Sequence, residues 1–152
     1  SQADPAGAPL FKQNADQYIS KLKDLDTWIV GQVQQIPQPR RLMVTNHEDF
    51  GYYADRYGLK IIGTVIPSVS TDASPSAQQL AKLIDTIKSN HAPAIFLETG
   101  ANPQIAEQVA GETGVKVVTD LYTHSLTPAG GPAPDYIAML KYDTQQIVNA
   151  LK

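Results

Sequence analysis

The chain has 152 residues, a formal net charge of -3 at pH 7 and no cysteine. This length suits one domain of ordinary size, and the lack of cysteine excludes disulfides, thiolate zinc sites and cysteine nucleophiles. There is no basic patch interleaved with aromatics, which argues against nucleic-acid binding, and no apolar run approaches the roughly 18 residues that cross a bilayer.

The first predicted element is an amphipathic helix from about residue 10 to residue 36. Its apolar side chains recur at steps of three or four and share one face: Phe11, Ala15, Tyr18, Leu22, Leu25, Ile29 and Val33. Pro37 and Pro39 end the helix because neither can continue it. Its length of roughly 40 Å exceeds the roughly 30 Å diameter of a compact domain of this size. Two interpretations stay open: a long helix packed along the sheet, or a spine that extends to a second lobe.

Strands alternate with helices over the rest of the chain. Short apolar runs predict strands near residues 42–44, 60–66, 94–97 and 115–121, and each is followed by a helical pattern. The helix after the first strand is expected to begin at once and to end at Gly58. Such alternation indicates a parallel sheet. The predicted fold class is therefore α/β, an open four-stranded parallel sheet flanked by helices and preceded by a long amphipathic spine helix.

Polar residues follow the predicted strands at one edge of the sheet, where open α/β sheets bind ligands. Asn46 and His47 follow the first strand, Glu98 ends the third, and His124 follows the fourth. Imidazole is a common metal ligand, so His47 and His124 are candidate metal ligands. Each alone also has an ordinary interpretation, His47 as a residue at a helix start and His124 as a loop histidine. The third histidine, His91, lies at the opposite end and is expected to be a surface residue.

Other motifs that carry chemistry are missing from the sequence. It contains no G-x-G-x-x-G after a strand, no P-loop and no G-x-S-x-G elbow. Nucleotide phosphates therefore lack a cradle, and a serine hydrolase is not supported.

Several stretches, spread over nearly the whole chain, match one known family. They are Asp4-Pro-Ala with Asn14-Ala15, Val44-Thr-Asn-His47-Glu-Asp-Phe50-Gly-Tyr52, Tyr57-Gly58-Leu59, Ile95-Phe-Leu-Glu98, Leu121-Tyr-Thr-His-Ser-Leu126 and Asp135-Tyr-Ile-Ala-Met-Leu-Lys-Tyr142. With these the chain resembles the C-terminal lobe of the zinc/manganese-binding solute-binding proteins of bacterial ABC transporters, the cluster A-I metal receptors.

The resemblance implies a division of the chain and a function. Residues 1–39 would be an interlobe spine helix and residues 40–152 the C-terminal α/β metal-binding lobe, with the N-terminal lobe absent. The whole protein would be an extracytoplasmic receptor rather than an enzyme. It would be periplasmic, or anchored to the membrane as a lipoprotein, and would deliver zinc, or alternatively manganese, to an ABC permease. The resemblance also implies the strand order 2-1-3-4.

The resemblance further implies a ligand set. His47 matches a ligand of the family, whereas His124 stands where aspartate is usual. An imidazole in place of a carboxylate favours zinc over manganese; alternatively, His124 does not ligate and Glu98 or a water completes the site. Glu98 would lie between the two histidine-bearing strands and support a ligand ring, or else favour the dipole of the following helix. Two ligands hold a metal less firmly than four, so the isolated chain is expected to bind weakly or to pair with another copy.

Two other functions stay open at the level of the sequence. One is a flavodoxin-like binding or regulatory domain without metal, in which both histidines are incidental. The other is a hydrolytic enzyme with a two-histidine metal site.

Overall fold

The computed structural model describes residues 2–66 and 75–152. The elements are α1 (Ala8–Val33), β1 (Leu42–Thr45), α2 (Gly51–Tyr57), β2 (Lys60–Thr64), α3 (Ala77–Asn90), β3 (Ala94–Glu98), α4 (Gln104–Thr113), β4 (Lys116–Leu121) and α5 (Tyr136–Leu151), with a 3₁₀ turn at Gln38–Arg40. The strands are parallel and their order is β2-β1-β3-β4. The predicted fold class and the strand order are both confirmed.

The sheet is covered by helices on both faces. β3 is buried along its whole length, and its side chains alternate between two apolar clusters because successive strand residues point to opposite faces. Ala94 and Phe96 pack with α1, α2 and α5, whereas Ile95 and Leu97 pack with α3 and α4. A parallel strand covered on both faces reads as a continuous apolar run. This packing fixes the carboxyl end of β3, where Glu98 lies.

The long helix α1 has two halves that differ in burial. Leu25, Ile29 and Val33 lie one turn apart and are buried in the core against the sheet. In the first half, four large apolar side chains are 45–57% exposed: Leu10, Phe11, Tyr18 and Ile19. The second half of α1 therefore packs along the sheet as the first interpretation predicts, and the extension of the helix to a second lobe stays a prediction. Within the described ranges, none of the helices is both long and apolar enough to span a bilayer.

Among the element boundaries that differ from the prediction are the end of α1 and the start of α2. α1 ends at Val33 rather than near Ile36, because the next residues turn through bonds between positions three apart, such as Ile36 N to Val33 O. The helix after β1 does not begin at once, since residues 46–50 form a loop and α2 begins at Gly51. The predicted end of α2 is confirmed: Gly58 has a φ of +72°, a left-handed conformation that favours glycine.

Candidate metal centre

His47 lies in a loop whose backbone is held firmly. β1 ends at Thr45, and the Thr45 hydroxyl donates a hydrogen bond to the carbonyl of His47 (2.7 Å). The backbone pairing between β1 and β2 continues beyond both strands, since Ile66 N donates to the carbonyl of Asn46 (2.8 Å). Hydrogen bonds from side chains to the local backbone compete with helix formation. They account for the loop here and fix the position of the His47 ring, which is buried rather than set at a helix start.

Glu98 stands beside His47 because β1 and β3 are neighbours in the sheet. Its Oε1 accepts a hydrogen bond from Asn46 Nδ2 (2.9 Å) and lies 3.4 Å from His47 Nε2. The predicted alternative, support of the following helix, does not fit, because α4 begins only at Gln104. Glu98 is thus directed at the histidine, at the position between the histidine-bearing strands that the resemblance implies.

His124 follows β4 and lies against His47. The two rings are 5.5 Å apart between centroids, and their planes are within 4° of parallel. The loop that carries His124 is held at its start, where the backbone N–H of Tyr122 donates to the buried carboxylate of Asp143 (2.9 Å). Both predicted ligands therefore meet at the carboxyl edge of the sheet. His124 is exposed where His47 is buried, and His91 lies exposed at the end of α3.

Asp49 belongs to this group, and sequence reasoning missed it. Its backbone N–H donates to the carbonyl of His47 (3.1 Å), which turns the chain back toward the ring. One donor atom each from His47, Asp49 and Glu98 lies within 4.8 Å of the others. Glu48, directly after the histidine, is exposed instead. The signal in the sequence was a carboxylate two positions after the histidine, but only the turn shows which of the two acids comes back to it.

The buried polar atoms at this edge are incompletely satisfied. Among the described residues, four buried side-chain atoms have no hydrogen-bond partner: His47 Nε2, Asp49 Oδ1, Glu98 Oε2 and Thr123 Oγ1. The contact between His47 Nε2 and Glu98 Oε1 is close enough for an ion pair but lacks hydrogen-bond geometry. Burial raises the pKa of Asp49, and the nearby His47 opposes that rise. Imidazole and carboxylate donors gathered without partners are chemically suited to a divalent cation.

An open cleft adjoins this group. Its volume is about 820 Å³, and it is lined by Glu48, Asp49, Tyr52 and Asp55 together with residues of β2. Three carboxylates that line a cleft give it a negative potential that attracts cations. The cleft therefore provides a route by which an ion can reach Asp49 from solvent.

Comparison with known proteins identifies the family. The sequence profile of the zinc-uptake complex component A, periplasmic (ZnuA), matches residues 1–150. The chain belongs to the ZnuA family. Its fold agrees, since the periplasmic zinc binding protein TroA from Treponema pallidum superposes with a TM-score of 0.87 at 28% identity, over 99% of this chain and 55% of that one.

ZnuA-family relatives are named for several metals. The iron-binding protein YfeA of Yersinia pestis is 33% identical over 144 residues, which is 95% of this chain and 46% of that protein. The manganese-binding lipoprotein MntA of Halalkalibacterium halodurans is 29% identical over 150 residues, 99% of this chain and 49% of that protein. The chain thus spans about half the length of these relatives. The relatives are named as metal-binding proteins, and both the family model and TroA are described as periplasmic.

Proposed function

We propose that this chain is the C-terminal part of an extracytoplasmic receptor that binds a divalent metal ion and delivers it to an ABC permease. Zinc is the proposed metal and manganese the alternative, because two imidazoles favour the softer ion. His47 and His124 are the proposed ligands, with Glu98 as support. The observation that carries this proposal is the buried His47 ring, whose Nε2 faces Glu98 without a hydrogen-bond partner in the described part of the chain.

The division of the chain is part of the proposal. Residues 1–39 would be the spine between two lobes and residues 40–152 the C-terminal lobe. The exposed apolar side chains on the first half of α1, which include Phe11 and Tyr18, support it because a second lobe would cover them. The fraction of the relatives that the chain spans also agrees with one lobe of two. The second half of α1 packs into the core of the C-terminal lobe.

The geometry supports binding and release rather than catalysis. The side chains that meet at the edge are donors suited to holding an ion, and the relatives' names describe metal-binding proteins. Delivery requires that the ion leave again, so ligands divided between two lobes are well suited to the task, because separating the lobes removes half of the donors.

Calorimetric titration with zinc and manganese tests the proposal, on the intact protein and on its His47→Ala/His124→Ala double variant. We expect the double variant to lose at least about tenfold in zinc affinity, since even residues that only orient ligands contribute 10–100-fold. His91→Ala is the matched control, because His91 lies exposed at the far end of the sheet. Undiminished zinc affinity in the double variant would reject the assignment of the ligands.

A further inference from the structure

We propose that His47, Asp49 and Glu98 form a three-donor site with which this chain binds a divalent first-row cation by itself, Asp49 being a direct ligand. The inference rests on the proposed function and deepens it. The resemblance implies only two ligands, His47 and His124, in this half of the protein, from which weak metal binding by the isolated chain is expected. The carboxylates of Asp49 and Glu98 beside His47 change that expectation.

The distances among the three side chains suit one ion. Their donor atoms all lie within 4.8 Å of one another, and His47 Nε2 is 3.4 Å from Glu98 Oε1. Ligand bonds of about 2.0–2.2 Å to zinc place two tetrahedral ligands roughly 3.4 Å apart. The pair is therefore already spaced as two ligands of one ion, and a carboxylate oxygen of Asp49 within 4.8 Å of both needs only a small side-chain adjustment to join them.

The burial of the donors points to a ligand. The side chain of His47 is only 8% exposed, and its Nε2 has no hydrogen-bond partner among the residues described. Asp49 Oδ1 and Glu98 Oε2 are likewise buried without a hydrogen-bond partner in the described part of the chain. A buried polar atom left unpaired costs about 1–3 kcal/mol, and a cation bound among these three side chains, whose donor atoms lie within 4.8 Å of one another, accounts for the unpaired atoms.

Hydrogen bonds from neighbouring residues orient two of the three proposed ligands, as is usual at metal sites. Asn46 Nδ2 donates to Glu98 Oε1 and fixes that carboxylate, while the Thr45 hydroxyl fixes the backbone of His47. Such outer hydrogen bonds orient metal ligands and leave their remaining lone pairs for the ion. His124 is outside this three-donor group, although its ring lies parallel to that of His47.

The charge of the group matches a dication. A neutral imidazole and two carboxylates carry about two negative charges, and a divalent ion neutralises them. One nitrogen and two oxygen donors form a mixed set that zinc, iron and manganese all accept. The cleft beside Asp49, with Glu48 and Asp55 on its wall, leads to the group from solvent.

The test uses the 152-residue chain after removal of metal with a chelator, titrated calorimetrically with zinc chloride and with manganese chloride. We expect one ion per chain and a loss of at least about tenfold in affinity for Asp49→Asn, as for Glu98→Gln. Asp85→Asn is the control, since it removes an exposed carboxylate on α3 that lies outside both the cleft and the three-donor group, and its affinity should stay within about twofold of the wild type.

Two further measurements separate ligation from charge and from misfolding. The visible spectrum of bound Co²⁺ should change in Asp49→Asn and not in Asp85→Asn, because only a ligand alters the coordination of the ion. Thermal unfolding of metal-free Asp49→Asn should occur at the wild-type temperature or above it, since the substitution removes a buried unpaired carboxylate oxygen.

The inference is overturned if the wild-type chain binds neither zinc nor manganese, or if Asp49→Asn binds as tightly as the wild type. Should His47→Ala lose affinity while Asp49→Asn keeps it, the inference fails and the proposed function stands. Zinc binding by the intact protein that survives loss of both His47 and His124 would instead reject the ligands of the proposed function.

Discussion

Replacing Asp143 with asparagine should stabilise the protein at neutral and alkaline pH. Asp143 is 2% exposed, and its Oδ1 accepts the backbone N–H of Tyr122 (2.9 Å). Burial raises the pKa of Asp143 from 3.8 to about 7, an effect that the bond from Tyr122 opposes. Asparagine keeps an oxygen that can accept the same hydrogen bond. The substitution therefore removes the ionisation of this side chain while retaining its contact.

The direction and magnitude of this change in stability follow from the protonation of Asp143 in the folded and unfolded chain. Between pH 3.8 and about 7 the unfolded chain has lost the Asp143 proton while the folded chain keeps it, so stability falls as pH rises through this window. Above pH 7 the cost is complete. At about 1.4 kcal/mol per pH unit it reaches up to about 4 kcal/mol, which corresponds to roughly 10 °C in unfolding temperature for a chain of this size.

Urea unfolding of the wild type and of Asp143→Asn, at intervals from pH 4 to pH 8.5, measures this difference. The two curves should coincide near pH 4 and diverge as pH rises, with the variant the more stable. Asp85→Asn is the control, an exposed carboxylate on α3 whose loss should change stability by less than about 0.5 kcal/mol at every pH. A constant difference between wild type and Asp143→Asn across the range would refute the reasoning.

Two more predictions concern helices. Ile29→Ala should destabilise the chain by about 2–5 kcal/mol in urea unfolding, because Ile29 is fully buried. Tyr18→Ala should change the stability by less than about 0.5 kcal/mol, because Tyr18 is 46% exposed. A larger loss of stability in Tyr18→Ala would contradict the exposure of the first half of α1. Ser76→Ala should cost about 0.5–2 kcal/mol, since Ser76 and Gln79 cap α3 reciprocally. Ser89→Ala, the same substitution at an exposed position near the other end of the helix, is its control, and equal effects of the two would count against the cap.

The order of the elements was readable from the sequence because it depends on local pattern. Alternating apolar runs and helical periods predicted four strands and their helices, and Gly58 marked a helix end for a local conformational reason. The loop at residues 46–50 was not predicted, because it depends on hydrogen bonds from Thr45 and Asp49 to the carbonyl of His47. A sequence shows which groups are capable of such bonds but not which of them form.

The same limit applies to the site. His47, Glu98 and His124 could be placed at one edge because each follows a strand, and strand ends of a parallel sheet share an edge. The sequence does not show that Asp49 returns to the His47 ring while Glu48 turns outward, since this depends on a single turn. Nor does it show that Asn46 holds Glu98 through its side-chain amide. The order of residues along the chain predicts which end of the sheet carries the site, whereas the conformation of the connecting turns determines which side chains belong to it.

The distribution of unsatisfied groups bears on what this edge is for. The buried side-chain atoms without partners in the described ranges belong to His47, Asp49, Glu98 and Thr123, all near the carboxyl ends of β1, β3 and β4. At about 1–3 kcal/mol each, these unpaired atoms together cost an amount comparable to the net free energy of unfolding of an ordinary domain. A cation that binds only the folded chain offsets this by about 2.7 kcal/mol at a hundred times its dissociation constant. If the proposed ion binds at this edge, its binding free energy also stabilises the fold, because a site that is unfavourable alone and favourable with an ion couples folding to binding.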